Sequence, residues 1–441
     1  MLLNRRILVG ICGGIASYKA VELVSRLQQA GALVDVIMSE HAEEFVRPLT
    51  FSTMSHRPVY SDLWEPSGRA AETHIALAQD AELLAVIPAT ANTIAKLAHG
   101  MADNMLTAVA LATKAPLLLA PAMHQHMYMH TATQANLALL RERGAFIVDP
   151  EVGRLASGEI GSGRLPETPV LLGAIQVVLG RNGDLAGRRV VVTAGGTQEP
   201  VDPVRFIGNR SSGKMGYALA AEARDRGAHV ILISGPVALE APYGVEVERV
   251  ETALQMRDAV MDAVVDADVL VMSAAVADFR PAVAAAQKIK KSKGRGGTPE
   301  NAVVLPADVR PGAQVDAQEL TEQEGFYLRL VRNPDILEEL AATLDGHTGD
   351  EGQSGRRRLV RVGFAAETSD LVNYARTKLI AKHLDLLVAN DVGRPDSGFG
   401  TETNKVLIFH ATGEMEDLPV MPKAGVAAAV WDRIVPILGT R

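Results

Sequence analysis

The sequence of 441 residues contains a single cysteine, Cys12. A disulfide framework is excluded, and so is any metal centre that needs two thiolates. Positive charge is not in excess either: 44 basic residues face 52 acidic ones, a formal net charge of −8. A general nucleic-acid binder calls for the opposite sign, so that task is disfavoured, although local basic patches remain. No apolar run approaches the roughly 18 residues that span a bilayer. Arg5-Arg6 before the apolar residues 7–11 imitates the start of a signal peptide, but Cys12-Gly13-Gly14 cuts the run short. The expectation is a soluble, cytoplasmic protein without membrane or nucleic-acid partners.

What is present is an ordinary globular balance, 47% apolar and 22% charged. At about 150 residues per domain the length suits three domains or two large ones. Two α/β halves can be read. In the first, short apolar strands at 7–9, 33–38, 83–87, 117–120 and 145–148 alternate with helices at 15–30, 92–113 and 134–143. The second restarts at Arg189. Strands at 190–193, 229–234, 269–273, 360–364 and 386–389 alternate with helices at 214–226, 252–263, 334–344 and 371–382. Buried strands alternating with helices predict a doubly wound parallel sheet in each half. Residues 182–184 read as the linker, giving domains 1–183 and 184–441. Segments 291–323 and 345–358, rich in Gly and charge, break the pattern; loops of that length are usually lids or disordered.

Four features carry chemistry, each beside a plainer reading. Gly13-Gly14-Ile15-Ala16-Ser17-Tyr18-Lys19 is a glycine turn into a helix. It can aim backbone N–H groups at a phosphate, or simply be a tight turn; no Gly-x-Gly-x-x-Gly fingerprint is present. Pro88 to Thr93 leaves a strand at its carboxyl end, where ligands bind, but its hydroxyls equally suit a helix cap. The segment 102–107 shares that ambiguity. His126 and His130 have the i, i+4 spacing that can chelate zinc, without the Glu of a metalloprotease motif; a solvated or stacking role is the plainer reading. His74 has the chemistry of a general base. Lys288-Ile289-Lys290-Lys291, with Lys293 and Arg295, is either a solvated face or a cluster that closes on triphosphate.

Taken together, these residues resemble the bifunctional phosphopantothenoylcysteine decarboxylase and phosphopantothenate–cysteine ligase family of bacterial coenzyme A biosynthesis. The similarity runs collinearly through 13–19, 88–96, 102–107, 121–123, 158–165, 193–216, 273–278, 288–291, 333–336 and 363–368. It implies two Rossmann-like doubly wound domains, an N-terminal FMN-binding flavoprotein decarboxylase and a C-terminal CTP-dependent ligase. In the first, the cysteine unit of the substrate is oxidised to a thioaldehyde, CO2 leaves, and the ene-thiol is reduced to 4′-phosphopantetheine. His74 matches the family's active-site base. Gly14, Ser17, Ser39, Thr90, Asn92 and Thr107 are the positions it implies for FMN.

Two positions depart from the family. His124 stands where the family has an Asn that holds the substrate carboxylate. Ser157 stands where it has a Cys that protonates the ene-thiol. A serine hydroxyl is far less acidic than a thiol, whose reference pKa is about 8.5. Either another donor serves or the domain stops at an oxidised product, and Cys12, in the first turn, is no obvious substitute. A working ligase with an impaired flavin domain acting as an assembly module is therefore the alternative; a flavin-binding regulator without catalysis is a third.

In the ligase half the resemblance implies that the 4′-phosphopantothenate carboxylate attacks the α-phosphorus of CTP, and cysteine then displaces CMP. It puts Asn209 on the acyl-cytidylate with Arg205 nearby, and makes Lys288 the catalytic lysine. Ser273, Ala274, Ala275, Asp278, Asn333, Pro334, Asp335, Ile336, Phe364, Lys378 and Lys382 map to CTP, with Mg2+ bridging its phosphates. The insert 292–323 exceeds the length expected. Trimeric flavin domains, dimeric ligase domains and a possible dodecamer are implied partners.

Overall fold

The computed structural model describes residues 2–64, 72–289, 328–345, 358–367, 371–391, 397–398 and 400–439. The predicted loop 291–323, and 346–357 of the second one, lie outside the described residues. Two compact units emerge. One holds Met1–Gly183 with Asp225–Gly227 and Pro242–Gly244; the other holds the remainder. Among the described residues no helix is long and apolar enough to cross a membrane.

The first unit starts with β1 (Arg6–Ile11), α1 (Ser17–Gln29), β2 (Leu33–Met38), α2 (Pro48–Ser55), β3 (Val59–Tyr60), α3 (Thr73–Asp80) and β4 (Leu83–Ala89). It continues with α4 (Ala91–His99), α5 (Met105–Ala112), β5 (Leu117–Pro121), α6 (Gln125–Tyr128), α7 (Thr131–Glu142) and β6 (Phe146–Ile147). A hairpin of β7 (Glu151–Arg154) and β8 (Ile160–Arg164) precedes α8 (Thr168–Gly180). The sheet order is β3-β2-β1-β4-β5-β6 and every pairing is parallel. Strand alternation explains the layers. Ile7, Val9 and Ile11 pack with Leu23, Val24 and Leu27 of α1, while Leu8 packs on the other face with Ile94 of α4 and Leu106 of α5. Both faces are covered, which is why the strand reads as a continuous apolar run.

The predicted helix 92–113 is two helices. Gly100, at φ 68°, ends α4 in the left-handed conformation that glycine adopts freely. Asn104 then restarts the chain as the cap of α5: its Oδ1 accepts the Thr107 amide at 3.0 Å, and Thr107 returns the bond to the Asn104 amide.

The second unit holds β9 (Arg189–Ala194), β10 (Gln198–Pro200), β11 (Phe206–Gly208), α9 (Lys214–Asp225), β12 (His229–Ser234), β13 (Glu246–Arg249), α10 (Ala253–Ala263) and β14 (Val269–Met272). Then follow β15 (Phe279–Pro281), β16 (Leu330–Arg332), α11 (Ile336–Asp345), β17 (Val360–Glu367), α12 (Leu371–Ala381) and β18 (Leu386–Asp391). The chain closes with β19 (Thr403–Asn404), β20 (Val406–His410), β21 (Met415–Asp417), β22 (Met421–Pro422) and α13 (Lys423–Gly439). The main sheet runs β13-β12-β9-β14-β17-β18-β20-β21. It is parallel through β18, but β20 and β21 add an antiparallel edge, a departure from the purely parallel sheet predicted. The four-residue connection from β20 to β21 makes that pair a hairpin instead of a helical crossover. Trp431 of α13 is fully buried and donates through Nε1 to the carbonyl of Leu219 at 2.9 Å.

Candidate active sites

In both main sheets the strand order reverses once, between β1 and β4 and between β9 and β14. Crevices at such reversals, outside the carboxyl ends of the strands, are where open α/β sheets bind ligands.

At the first reversal, Gly13-Gly14 leaves β1 and Thr90 leaves β4. A Cβ on Gly13 would lie 2.4 Å from His41 Cβ, so only glycine fits that turn. A Cβ on Gly14 would lie 3.8 Å from Thr90 Cγ2, so the two loops face each other across the crevice. Ser17 opens α1 fully buried, and its Oγ has no hydrogen-bond partner; the cap residue Ala16 contributes no side-chain bond. An orphaned hydroxyl at an uncapped helix N-terminus suits a phosphate oxygen, so the residues fit the phosphate of a flavin nucleotide. Thr90 caps α4, accepting the Thr93 amide at 3.4 Å. Asn92 is exposed on the first turn of α4, and Ser39 is half-buried after β2. The Thr107 hydroxyl is engaged in the cap of α5. His74 lies half-buried on the first turn of α3. Cys12 is buried; burial pushes its thiol up, against hydrogen bonds with Thr93 and Thr90.

The β7–β8 hairpin is a flap fastened to the segment after β5. The Met123 amide donates to the Gly163 carbonyl at 3.0 Å, and the Ala122 amide to the Ala89 carbonyl at 3.1 Å. Ser157 is exposed at the hairpin turn. His124 caps α6: its Nδ1 accepts the His126 amide at 3.3 Å, and its Nε2 lies 2.9 Å from Glu159 Oε2 on the flap. The pairing of His126 with His130 across one helical face does not occur, because α6 ends at Tyr128 and His130 caps α7 instead. Among the described residues, the cluster with metal-ligating atoms in common reach is His124, His126 and Glu159, within 4.8 Å.

At the second reversal lies a cavity of about 750 Å³. It is lined by Asn209, Ser273, Ala274, Ala275, Asp278, Asn333, Pro334, Asp335, Ile336, Phe364, Lys378 and Lys382. Ser273 Oγ donates to the Thr193 carbonyl at 2.6 Å, and the Ala275 amide to the Gly195 carbonyl at 2.8 Å, tying the two switch-point loops together. Asn209 Nδ2 donates to the Ala275 carbonyl. Lys378 follows the helical spacing, but Lys382 lies one residue past the end of α12 and pairs with Asp335. Burial works to raise the Asp335 carboxyl, yet the Lys382 bond and charge and the Glu338 amide hold it below the usual carboxylate range.

Arg205 and Lys288 are not in that lining. Arg205 is bound to Asp202 and donates to the Ile289 carbonyl at 2.8 Å; Lys288 is exposed beside it. Lys290, Lys291, Lys293 and Arg295 lie outside the described residues. Polar lining residues that were not anticipated include Lys214, Asn390, Asn404 and Lys423. Lys214 opens α9 directly after Ser-Ser-Gly, a pattern that could have flagged it. Lys423 is buried, and burial, with Lys214 nearby, pushes its ammonium pKa down.

A family model described as Flavoprotein matches residues 1–180, and one described as DNA/pantothenate metabolism flavoprotein C-terminal domain matches 185–299 and 300–437. The coenzyme A biosynthesis bifunctional protein CoaBC of Bacillus subtilis is 43% identical over 440 residues, covering 99% of this chain and 98% of that one. Its Escherichia coli counterpart is 40% identical over 434 residues, covering 98% and 97%. A solved C-terminal domain of a CoaBC protein aligns at 33% identity with a TM-score of 0.42, over 59% of this chain and 100% of that one. Matched from end to end by relatives of this identity, the chain belongs to the family of bifunctional CoaBC proteins of coenzyme A biosynthesis.

Proposed function

We propose that the second cavity joins 4′-phosphopantothenate to cysteine at the expense of CTP, and that the first crevice holds FMN and decarboxylates the product to 4′-phosphopantetheine. The observation that carries this reading is the pair of switch-point sites in one chain. One presents an uncapped helix start with an orphaned hydroxyl, the other a large cavity with several lysines.

In the ligase cavity Lys378, Lys382 and Lys214 meet the charge of the triphosphate, and the amides after β14 receive oxygens of the nucleotide. Mg2+, when bound, would supply further neutralisation of the triphosphate charge beside these lysines. Asn209 orients the acyl-cytidylate; Arg205 and Lys288 come from the neighbouring loop. In the flavin crevice Ser17 and the start of α1 hold the phosphate, Gly14 and Thr90 admit the ring system, and Ser39, Asn92 and Thr107 surround it. Bound flavin supplies the two-electron oxidation that makes the β-carbon an electron sink and afterwards returns those electrons. His74 accepts the substrate proton that this oxidation releases. His124 and Ser157 face the substrate from the loop after β5 and from the flap.

Both halves are expected to self-associate, the flavin domains as trimers and the ligase domains as dimers. Exposed Phe206, Phe279 and Leu330 on the small antiparallel sheets support an interface in the latter. The reading is tested by accurate-mass analysis of products from the full chain with 4′-phosphopantothenate, cysteine, CTP and Mg2+. Saturated 4′-phosphopantetheine is expected, and His74→Asn should leave 4′-phosphopantothenoylcysteine to accumulate. No CTP turnover would defeat the ligase half of the reading; undecarboxylated product from the unmodified chain would defeat the other.

A further inference from the structure

We propose that His124 and Glu159 form the proton-delivery pair of the flavin-domain site, with His124 the acid and Glu159 the group that fixes its ring in place. This rests on the decarboxylase reading above. The placement comes from the backbone. The Ala122 amide is bound to the end of β4 and the Met123 amide to the flap, so His124 stands at the carboxyl edge of the sheet, between the turn at Thr90 and the hairpin. Its ring is fixed from both sides. Nδ1 accepts the His126 amide, so in the neutral ring the proton sits on Nε2, which points at Glu159 Oε2 2.9 Å away.

The reaction needs an acid there. Loss of CO2 leaves an electron pair on carbon, conjugated with sulfur as an ene-thiolate. That carbon must gain a proton before it can be reduced to the saturated thiol. The donor is the doubly protonated ring. Its Nε2–H turns from Glu159 to the ene-thiolate carbon when substrate is bound: the N–H bond breaks, the ene-thiolate π pair forms the new C–H bond, and the C=S bond is restored. The ring is left neutral with its proton on Nδ1, and solvent recharges it through a side chain that is 31% exposed. The doubly protonated ring gives up the long 3.3 Å contact with the His126 amide and keeps the one with the Glu159 carboxylate.

Neighbouring groups serve less well. An alkyl hydroxyl such as Ser157 is a much weaker acid than imidazolium. Cys12 is buried with its thiol pushed up. The Tyr128 hydroxyl is engaged with Asp149, and burial and that carboxylate push it up as well. A divalent cation on His124, His126 and Glu159 is the competing reading. It would have to displace the Nε2 proton that the His126 contact places there.

The test uses the full flavin-loaded chain with 4′-phosphopantothenoylcysteine and reads product mass. In His124→Ala the share of product two hydrogens lighter should rise by about 10²-fold, the usual size of a general-acid contribution. Ser157→Cys added to that variant should restore the saturated product, because a thiol of pKa about 8.5 can donate. A readout without turnover is carbethoxylation of His124 by diethyl pyrocarbonate at pH 7, followed by peptide mass. Glu159→Gln should speed it about threefold, the scale of one exposed ion pair. Only saturated product from His124→Ala would overturn the proposal. So would equal carbethoxylation rates, loss of CO2 release in both single variants, or a product distribution in the unmodified chain that changes on treatment with EDTA. Absence of CO2 from the unmodified chain would instead sink the decarboxylase reading, and the carbethoxylation comparison would still decide the pair.

Discussion

Asn333 Nδ2 donates to the carbonyl of Ala277 at 2.7 Å, tying the loop after β16 to the loop after β14 in the lining of the second unit's cavity. Its Oδ1 accepts Arg280 Nη1 at 2.9 Å, and its amide donates to the Asp278 carbonyl at 2.8 Å. Asn333→Ala removes the two side-chain bonds. At about 1 kcal/mol for each, KM for CTP should rise roughly tenfold or more, with a smaller change in kcat. Pyrophosphate release measured against CTP concentration checks this; an unchanged KM would refute it.

Ser17 offers an opposite signature in two assays. Ser17→Ala removes a buried hydroxyl that lacks a partner. The flavin-free protein should be as stable as before or more so, by up to about 1 kcal/mol. Flavin affinity should fall about tenfold, since one phosphate contact is lost. Thermal unfolding and quenching of flavin fluorescence report the two effects separately. Weaker stability with unchanged affinity would show that the hydroxyl has no ligand role.

Two flap glycines should respond differently to the same substitution. A Cβ on Gly163 would meet the Met123 backbone carbonyl at 2.0 Å, and Gly163 sits at φ 142°, so the strands must part. A Cβ on Gly161 would meet chiefly the Gln125 side chain, which can swing away. Gly163→Ala should therefore depress CO2 release strongly while CTP turnover is kept, and Gly161→Ala should be mild. Assaying the two half-reactions side by side distinguishes them, and equal losses would count against the flap's role.

Glu416 carries a pH signature. Bonds from Arg433, and then from His410, outweigh burial and hold its carboxyl at about 2. A carboxylate whose folded pKa lies below its unfolded value stabilises the fold above the unfolded pKa, and that contribution fades as pH falls through the folded one. Glu416→Gln should lower Tm at neutral pH, and the gap to the unmodified chain should narrow from about pH 4.5 downward. The pair is partly exposed, so the effect is modest and salt-sensitive. A gap independent of pH would assign it to packing.

Much of the fold was legible because it rests on short-range pattern. Residues 7–11 and 190–193 are apolar on both alternating faces, and the sheets bury both faces. The Gly13-Gly14 turn and the Asn209 segment fell at the two strand-order reversals for the same local reason. What escaped the sequence is set by long-range topology. Glu159 meets His124 from 35 residues away, and Lys423 reaches the cavity that Lys214 lines from more than 200 residues away. The break at Gly100 was hidden because Ala98, Met101 and Ala102 around it are good helix formers, yet the left-handed Gly100 and the Asn104 cap separate α4 from α5. The i, i+4 spacing of His126 and His130 likewise places them on no common helical face, because α6 ends at Tyr128 and His130 caps α7.

The placement of α13 bears on how the chain matures during synthesis. The main sheet and flap of the first unit are complete by residue 183, and N-terminal domains generally fold first as a chain emerges. The ligase cavity has no such head start. Lys423 opens the final helix, and Trp431, eight residues later, anchors that helix to α9 through the Leu219 carbonyl. A chain that stalls in its last twenty residues or so would carry a finished flavin crevice and an unfinished ligase. It would hold the second reaction of the pair without the first.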